Sequence, residues 1–180
     1  MGRILIFCIY LLLPCKGNSQ ELLRTNSANI HFVSDAPLEF IEAKSDKCQG
    51  ILNLDNGEFA FRIYIKAFDG FNSPLQKVHF FENYMEVSQF PEATFVGKMV
   101  EKINPVDLSN ADYRAKGILK IHGVENEVII PVKLTRTAAG LNFSSKFKVE
   151  LVDYNIEIPT IVKQKIAESI RIEVTGILSS

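Results

Sequence analysis

The sequence predicts an all-β fold, mainly antiparallel, with one helix in a connection at about 74–86. Three observations predict it. Apolar and polar residues alternate at period two through most of the chain beyond residue 19, the pattern of strands with one buried face. Turn signals at Asp55-Asn56-Gly57, His122-Gly123 and Ala139-Gly140 fall at hairpin spacing. One segment, beginning at Ser73, changes to helical spacing.

Taken in order, residues 1–19 differ from the rest. Arg3, an apolar run from Ile4 to Leu13 and then Pro14-Cys15-Lys16-Gly17-Asn18-Ser19 read as a cleaved secretory signal with the cut before Gln20. The run is too short to span a bilayer. Leu12-Leu13-Pro14-Cys15 offers a weaker alternative, lipidation at Cys15, because Pro14 stands where lipoprotein signals carry a small residue. Residues 20–180 then read as a single domain, long enough to bury a sizeable core and without a transmembrane segment.

Candidate strands fall at 29–34, 38–45, 49–54, 58–68, 92–103, 112–122, 125–136, 141–151 and 168–179, eight or nine in all. Phe59, Phe61, Ile63 and Ile65 share one face of the clearest of them, and Phe143 and Phe147 share a face of another. That number of strands suits a sandwich or a closed barrel, and periodicity alone does not choose. Ser73-Pro74-Leu75-Gln76 places a hydroxyl at the N-cap, proline at the first helical position and glutamine three residues on, a capping-box start. From it Leu75, Val78, Phe81 and Met85 form a stripe, flanked by Phe80 and Tyr84, over about three turns that end before Phe90-Pro91. A second short helix is expected at about 159–166, opened by Pro159.

Composition and motifs exclude more than they assign. Without Arg3 and Lys16, 18 basic residues stand against 21 acidic ones, a net charge of −3 that draws neither nucleic acid nor an anionic surface. Cys8 and Cys15 lie in the signal, so Cys48 has no internal disulfide partner. His31, His79 and His122 have no metal-ligand spacing, His122 being expected to face solvent from its turn, and no nucleotide or cofactor loop occurs. No nucleophile elbow is found, and Glu82 and Glu86, one turn apart, read as a solvated face, so an enzyme is not expected. Thirteen phenylalanines and five tyrosines with no tryptophan suit either a packed core or a barrel closed round a hydrophobic ligand.

Three ordered motifs carry a resemblance. Phe68-Asp69-Gly70-Phe71-Asn72-Ser73-Pro74-Leu75-Gln76 leads to His79-Phe80-Phe81 and then Phe90-Pro91-Glu92-Ala93-Thr94-Phe95, with Phe90 in place of the usual tyrosine. Gly117-Ile118-Leu119-Lys120-Ile121-His122-Gly123 and Ile130-Pro131-Val132 follow. From about Ile30 to Leu178 the chain resembles the YceI-like family of exported bacterial proteins, departing from its pattern at Asn26–Phe32. The resemblance implies a lipocalin-like closed barrel of eight strands that holds a polyisoprenoid or related amphiphilic lipid in an apolar cavity, in the periplasm or secreted, without catalysis or cofactor. The cavity lining it implies comprises Phe59, Phe61, Ile63, Phe80, Phe81, Tyr84, Phe95, Leu119, Ile121, Phe143 and Phe147, with His79, Asn83, Tyr84 and Arg62 near a polar head. Two other readings stay open: a barrel packed shut that acts as a structural or interaction protein, and a lipocalin-like enzyme working through Glu82, His79 or Tyr84. The sequence also leaves a homodimer open.

Overall fold

The computed structural model describes residues 22–104, 108 and 111–180. The expected signal segment, its cut before Gln20 and the alternative at Cys15 lie outside the described residues. Eight antiparallel strands close on themselves in chain order: β1 (Leu22–Asp35), β2 (Phe40–Asn53), β3 (Glu58–Tyr64), β4 (Glu92–Met99), β5 (Ala111–Ile121), β6 (Val124–Thr137), β7 (Gly140–Glu150) and β8 (Ser169–Leu178). Closure comes from β1 pairing with β8, Asn29 to Val33 against Arg171 to Thr175. A closed sheet has no free edge, which decides between the two architectures that alternation left open.

Two of the expected strands, at 38–45 and 49–54, are one. Strands β1 and β2 carry facing bulges: Thr25 and Ala28 oppose Gly50 and Cys48, then Ala28 and Ile30 oppose Cys48 and Ser45. Each strand therefore holds one extra residue at the same level, and each shifts its inward positions from odd to even numbers. The buried Thr25 and Ser45 hydroxyls accept from the backbone N–H groups of Ser27 and Lys47 and satisfy the donors that the bulges release. A change of parity inside a strand looks, in sequence, like the end of one strand and the start of another.

The three expected turns form. Asn53 Oδ1 accepts from the N–H groups of Asp55 and Asn56, and Gly57 takes φ +74° to complete the β2–β3 hairpin. His122 and Gly123, both at positive φ, make the two-residue β5–β6 turn. The β6–β7 ladder runs only from Lys133–Thr137 to Gly140–Ser144. It stops where Pro131, which has no N–H, faces β7, and Ser145 Oγ donates to the Pro131 carbonyl instead. The seam beyond is filled by the 3-10 turn Leu151–Tyr154 and by Ile156.

The helix of the β3–β4 connection is α1 (Pro74–His79), capped by Ser73 Oγ accepting from Gln76 N–H as the sequence predicts. It continues as a π turn, Phe80–Tyr84, in place of further α-helix. The inward face is Gln76, His79, Phe80 and Tyr84 with Leu75 at its rim, while Val78 and Phe81 of the expected stripe turn away. The second short helix is a 3-10 turn, Thr160–Val162.

Candidate functional site

The inward faces of the strands do not fill the barrel. They enclose a cavity of about 540 Å³, within the range of small-molecule sites. Its floor lies at the end of the barrel that holds the β2–β3 and β6–β7 hairpins, where Leu52, Phe59, Met99, Leu134 and Leu178 line it. Just above them Phe61 and Phe143 meet from opposite sides, ring centres 5.3 Å apart. Glycines on the neighbouring strands make room for both rings. A Cβ on Gly50 would stand 2.2 Å from Phe61 and one on Gly176 would stand 2.8 Å from Phe143.

A second aromatic group lies toward the other end, where Phe32 stacks on Phe80 at 5.2 Å and Phe68 and Phe71 meet the same pair edge-on or tilted. This end is the mouth. Three segments surround it: the β1–β2 turn, held by Leu38 N–H donating to the Gln164 carbonyl; α1, held by Gln76 Nε2 donating to Glu39 Oε1 at 2.9 Å; and the 160–166 turn, tied to β1 where Ser34 Oγ accepts from Ala167 N–H.

Ten of the eleven residues expected on the wall are on it: Phe59, Phe61, Ile63, Phe80, Tyr84, Phe95, Leu119, Ile121, Phe143 and Phe147. Phe81 is not; it packs on Phe71 and Phe80 beneath Lys77 Nζ. Of the polar residues expected near a head, His79 and Tyr84 face the cavity and Asn83 is exposed. Arg62 borders the wall, but its guanidinium is outside, donating to Gln49 Oε1 and lying over the Tyr64 ring. Glu82 is exposed and off the wall, so it does not join His79 and Tyr84.

Sequence reasoning missed Glu39, Gln76 and Lys165 at the mouth and Cys48 on the wall. The first three sit in turns or on a short helix, where no period shows which way a side chain points. Burial pushes the Tyr84 hydroxyl above its usual pKa, helped by the charge of Glu39. Burial also raises the Cys48 thiol to about 11 against a smaller opposing pull from the Arg62 backbone N–H. Lys165 makes no ion pair and the His79 side chain no hydrogen bond among the described residues.

His122 does not face solvent; its side chain is only 9% exposed. Nε2 lies 2.8 Å from Glu86 Oε2, Nδ1 lies 3.1 Å from the Tyr154 carbonyl, and Phe90 packs edge-on at 4.5 Å. Both ring nitrogens face acceptors. Together with Asn126 Nδ2 donating to the Asp153 carbonyl, this clasp ties the β5–β6 turn to the segment that fills the β6–β7 seam. Among the described residues no group of three or more His, Cys, Asp or Glu is placed to hold a metal ion.

A closed eight-stranded antiparallel barrel with an apolar interior open at one end defines a lipocalin-like fold. The chain belongs to the YceI-like domain family, whose profile matches residues 23–177. In structure it is similar to a polyisoprenoid binding domain from Saccharophagus degradans implicated in plant cell wall breakdown, at TM-score 0.73 and 13% identity, covering 89% of this chain and 99% of that one. It is similar also to BcnA of Burkholderia cenocepacia, at TM-score 0.69 and 18% identity over 85% and 96% of the two chains. The YCEI protein of Campylobacter jejuni follows at TM-score 0.57 and 18% identity over 75% and 83%. None of the curated proteins matches the chain.

Proposed function

We propose that the protein is an exported lipid-binding barrel that sequesters or carries a single-chain amphiphile of isoprenoid or related type. The tail lies among the barrel's aromatic and aliphatic side chains and the head stays at the mouth, with no covalent chemistry. One observation carries the reading: a cavity of about 540 Å³ runs from the Leu52–Leu178 floor to the α1 rim and is walled almost wholly by apolar side chains. A packed-shut barrel would leave no such space, and an apolar wall favours a greasy occupant over water.

Size narrows the class. A water-sized group takes roughly 30 Å³ of liquid volume, so 540 Å³ holds on the order of 18 carbon-sized groups, about three or four isoprene units or one fatty chain. The Saccharophagus relative, described as a polyisoprenoid binding domain, supports the isoprenoid choice. Export follows from the signal read in residues 1–19 and points to the periplasm or the medium. Among the residues lining the cavity Glu39 carries the one carboxylate, and Gln76 donates to it.

The test is gentle purification from the native compartment, organic extraction and mass spectrometry. An isoprenoid or fatty amphiphile near one per chain is expected. Repeated lipid-free extracts, together with no uptake of farnesol- or geranylgeraniol-length probes, overturn the reading.

A further inference from the structure

The rim of the cavity is unusually greasy for a surface that faces water. Ile161 is 92% exposed, Leu38 66% and Leu75 63%, with Phe40 and Val78 also exposed beside them. They come from three separate segments that hydrogen bonds hold together round one opening: Leu38 N–H donates to the Gln164 carbonyl, and Asn72 Nδ2, next to the α1 cap, donates to the Phe40 carbonyl. Leu75 lines the cavity and is exposed at once, so the apolar rim continues the apolar wall. Single exposed aliphatics are ordinary; a ring of them round an apolar opening marks an interaction surface.

Charge on the same tips identifies the partner. Residues 36–40, 72–79 and 159–166 contain Lys77, Lys163 and Lys165 against Glu39 alone, while Asp69 and Glu168 lie just outside them. Lys77 is paired with Asp69 and Lys163 lies 4.0 Å from Glu168, whereas Lys165 makes no ion pair among the described residues. Ile161 thus stands at a tip with two lysines within four residues. An apolar tip backed by cations matches the layering of an anionic bilayer, acyl chains beneath phosphate headgroups. Separate tips round a hole leave no continuous groove for a helix or an extended peptide.

We propose that the mouth is a membrane-docking surface: Leu38, Leu75 and Ile161 enter the headgroup–acyl boundary of an anionic bilayer while Lys163 and Lys165 meet its phosphates. Docked this way, the cavity opens directly onto the hydrocarbon, and a tail passes between bilayer and barrel without crossing water. The inference gives the lipid-carrier reading its route of exchange and rests on that reading only for its purpose.

The chain has no tryptophan, so Ile161→Trp introduces a single reporter at an exposed position. With lipid-free protein, mixed phosphatidylcholine–phosphatidylglycerol vesicles are expected to shift Trp emission to the blue, and brominated acyl chains to quench it. In that background Lys165→Gln is expected to lower partitioning about fivefold and Leu38→Ser about tenfold. Emission that stays at its water-exposed wavelength with these vesicles overturns the proposal. So does a blue shift that grows with protein concentration in the absence of vesicles, which would assign the rim to a second copy of the chain. Neither result depends on whether the cavity takes a tail, so docking can fail while lipid extraction succeeds, and the reverse.

Discussion

Cys48 has its thiol on the cavity wall at 2% residue exposure, with its pKa raised to about 11 by burial. The thiolate is the nucleophile, so this sulfur is inert in the folded state. Iodoacetamide at pH 8 is expected to leave the native protein unmodified and to label it fully in denaturant; fast native labelling would show that the wall opens. The same shift predicts alkaline instability. The folded pKa lies above the unfolded value of 9.0, so the contribution is fully present below about pH 9 and is lost as pH rises through about 11. A shift of this size is on the order of 3 kcal/mol. Tyr84 and Tyr154, also raised by burial, titrate in both proteins being compared. The steeper loss of stability in wild type than in Cys48→Ala between pH 9 and 11, read from urea midpoints, isolates the thiol. Cys48 was readable as unpaired from a count of cysteines, but its inward direction was not, because the bulge three residues earlier resets the alternation. His122 misled for a similar reason. A turn histidine ordinarily points to water, and only the partners brought up by Glu86, Tyr154 and Phe90, remote in sequence, bury it.

Among the elements, the strands that kept strict alternation, β3 and β5 to β8, were legible, and with them most of the cavity wall. The two that were misread are those with bulges, where Thr25-Asn26-Ser27-Ala28 and Ser45-Asp46-Lys47-Cys48 repeat one arrangement: hydroxyl inward, two residues out, small residue inward. The π turn was illegible because it preserves helical composition while changing the pitch, and the wall-facing side of the helix was misplaced because Gln76 and His79, rather than Val78 and Phe81, line the cavity. A close strand approach offers a test at this scale. Gly97 and Gly117 are directly paired on β4 and β5, and a Cβ on Gly117 would meet the Val96 carbonyl oxygen at 2.4 Å and the Gly97 Cα at 2.9 Å. These are backbone atoms, so no side-chain rotation relieves the contact, and the two strands must separate. Gly117→Ala is expected to cost about 1–3 kcal/mol or more, visible as a lower urea midpoint. Lys116→Ala, one residue away and half-exposed in an ion pair with Glu127, is expected to cost under about 0.5 kcal/mol. Equal midpoints for the two variants would show that the sheet yields at this pair.

The whole barrel makes binding and stability one measurement. A ligand that binds only the folded state adds about 2.7 kcal/mol at a hundredfold excess over its Kd, which for a domain of this size raises Tm by about 5–10 °C. If the tail occupies the interior, the gain should climb with chain length and then stop where the tail meets the end of its free space. Prenyl alcohols of two, three, four and more isoprene units are therefore expected to raise Tm progressively and then level off, at no more than the about three or four units that the whole cavity volume holds. The stop has an identifiable cause. Phe61 and Phe143 meet across the interior just above Phe59, Met99, Leu134 and Leu178, so a tail entering from the α1 end meets their rings before it meets the floor. Phe143→Ala removes one ring and joins its space to the cavity. The variant itself is expected to melt lower, since a large core side chain is lost, by up to about 3–5 kcal/mol. Its length dependence, measured relative to its own ligand-free Tm, is expected to extend by about one isoprene unit. A plateau at the same length in both proteins would place the end of the tail above the Phe61–Phe143 contact, and a Tm that rises with length without any plateau would place the tail outside the barrel.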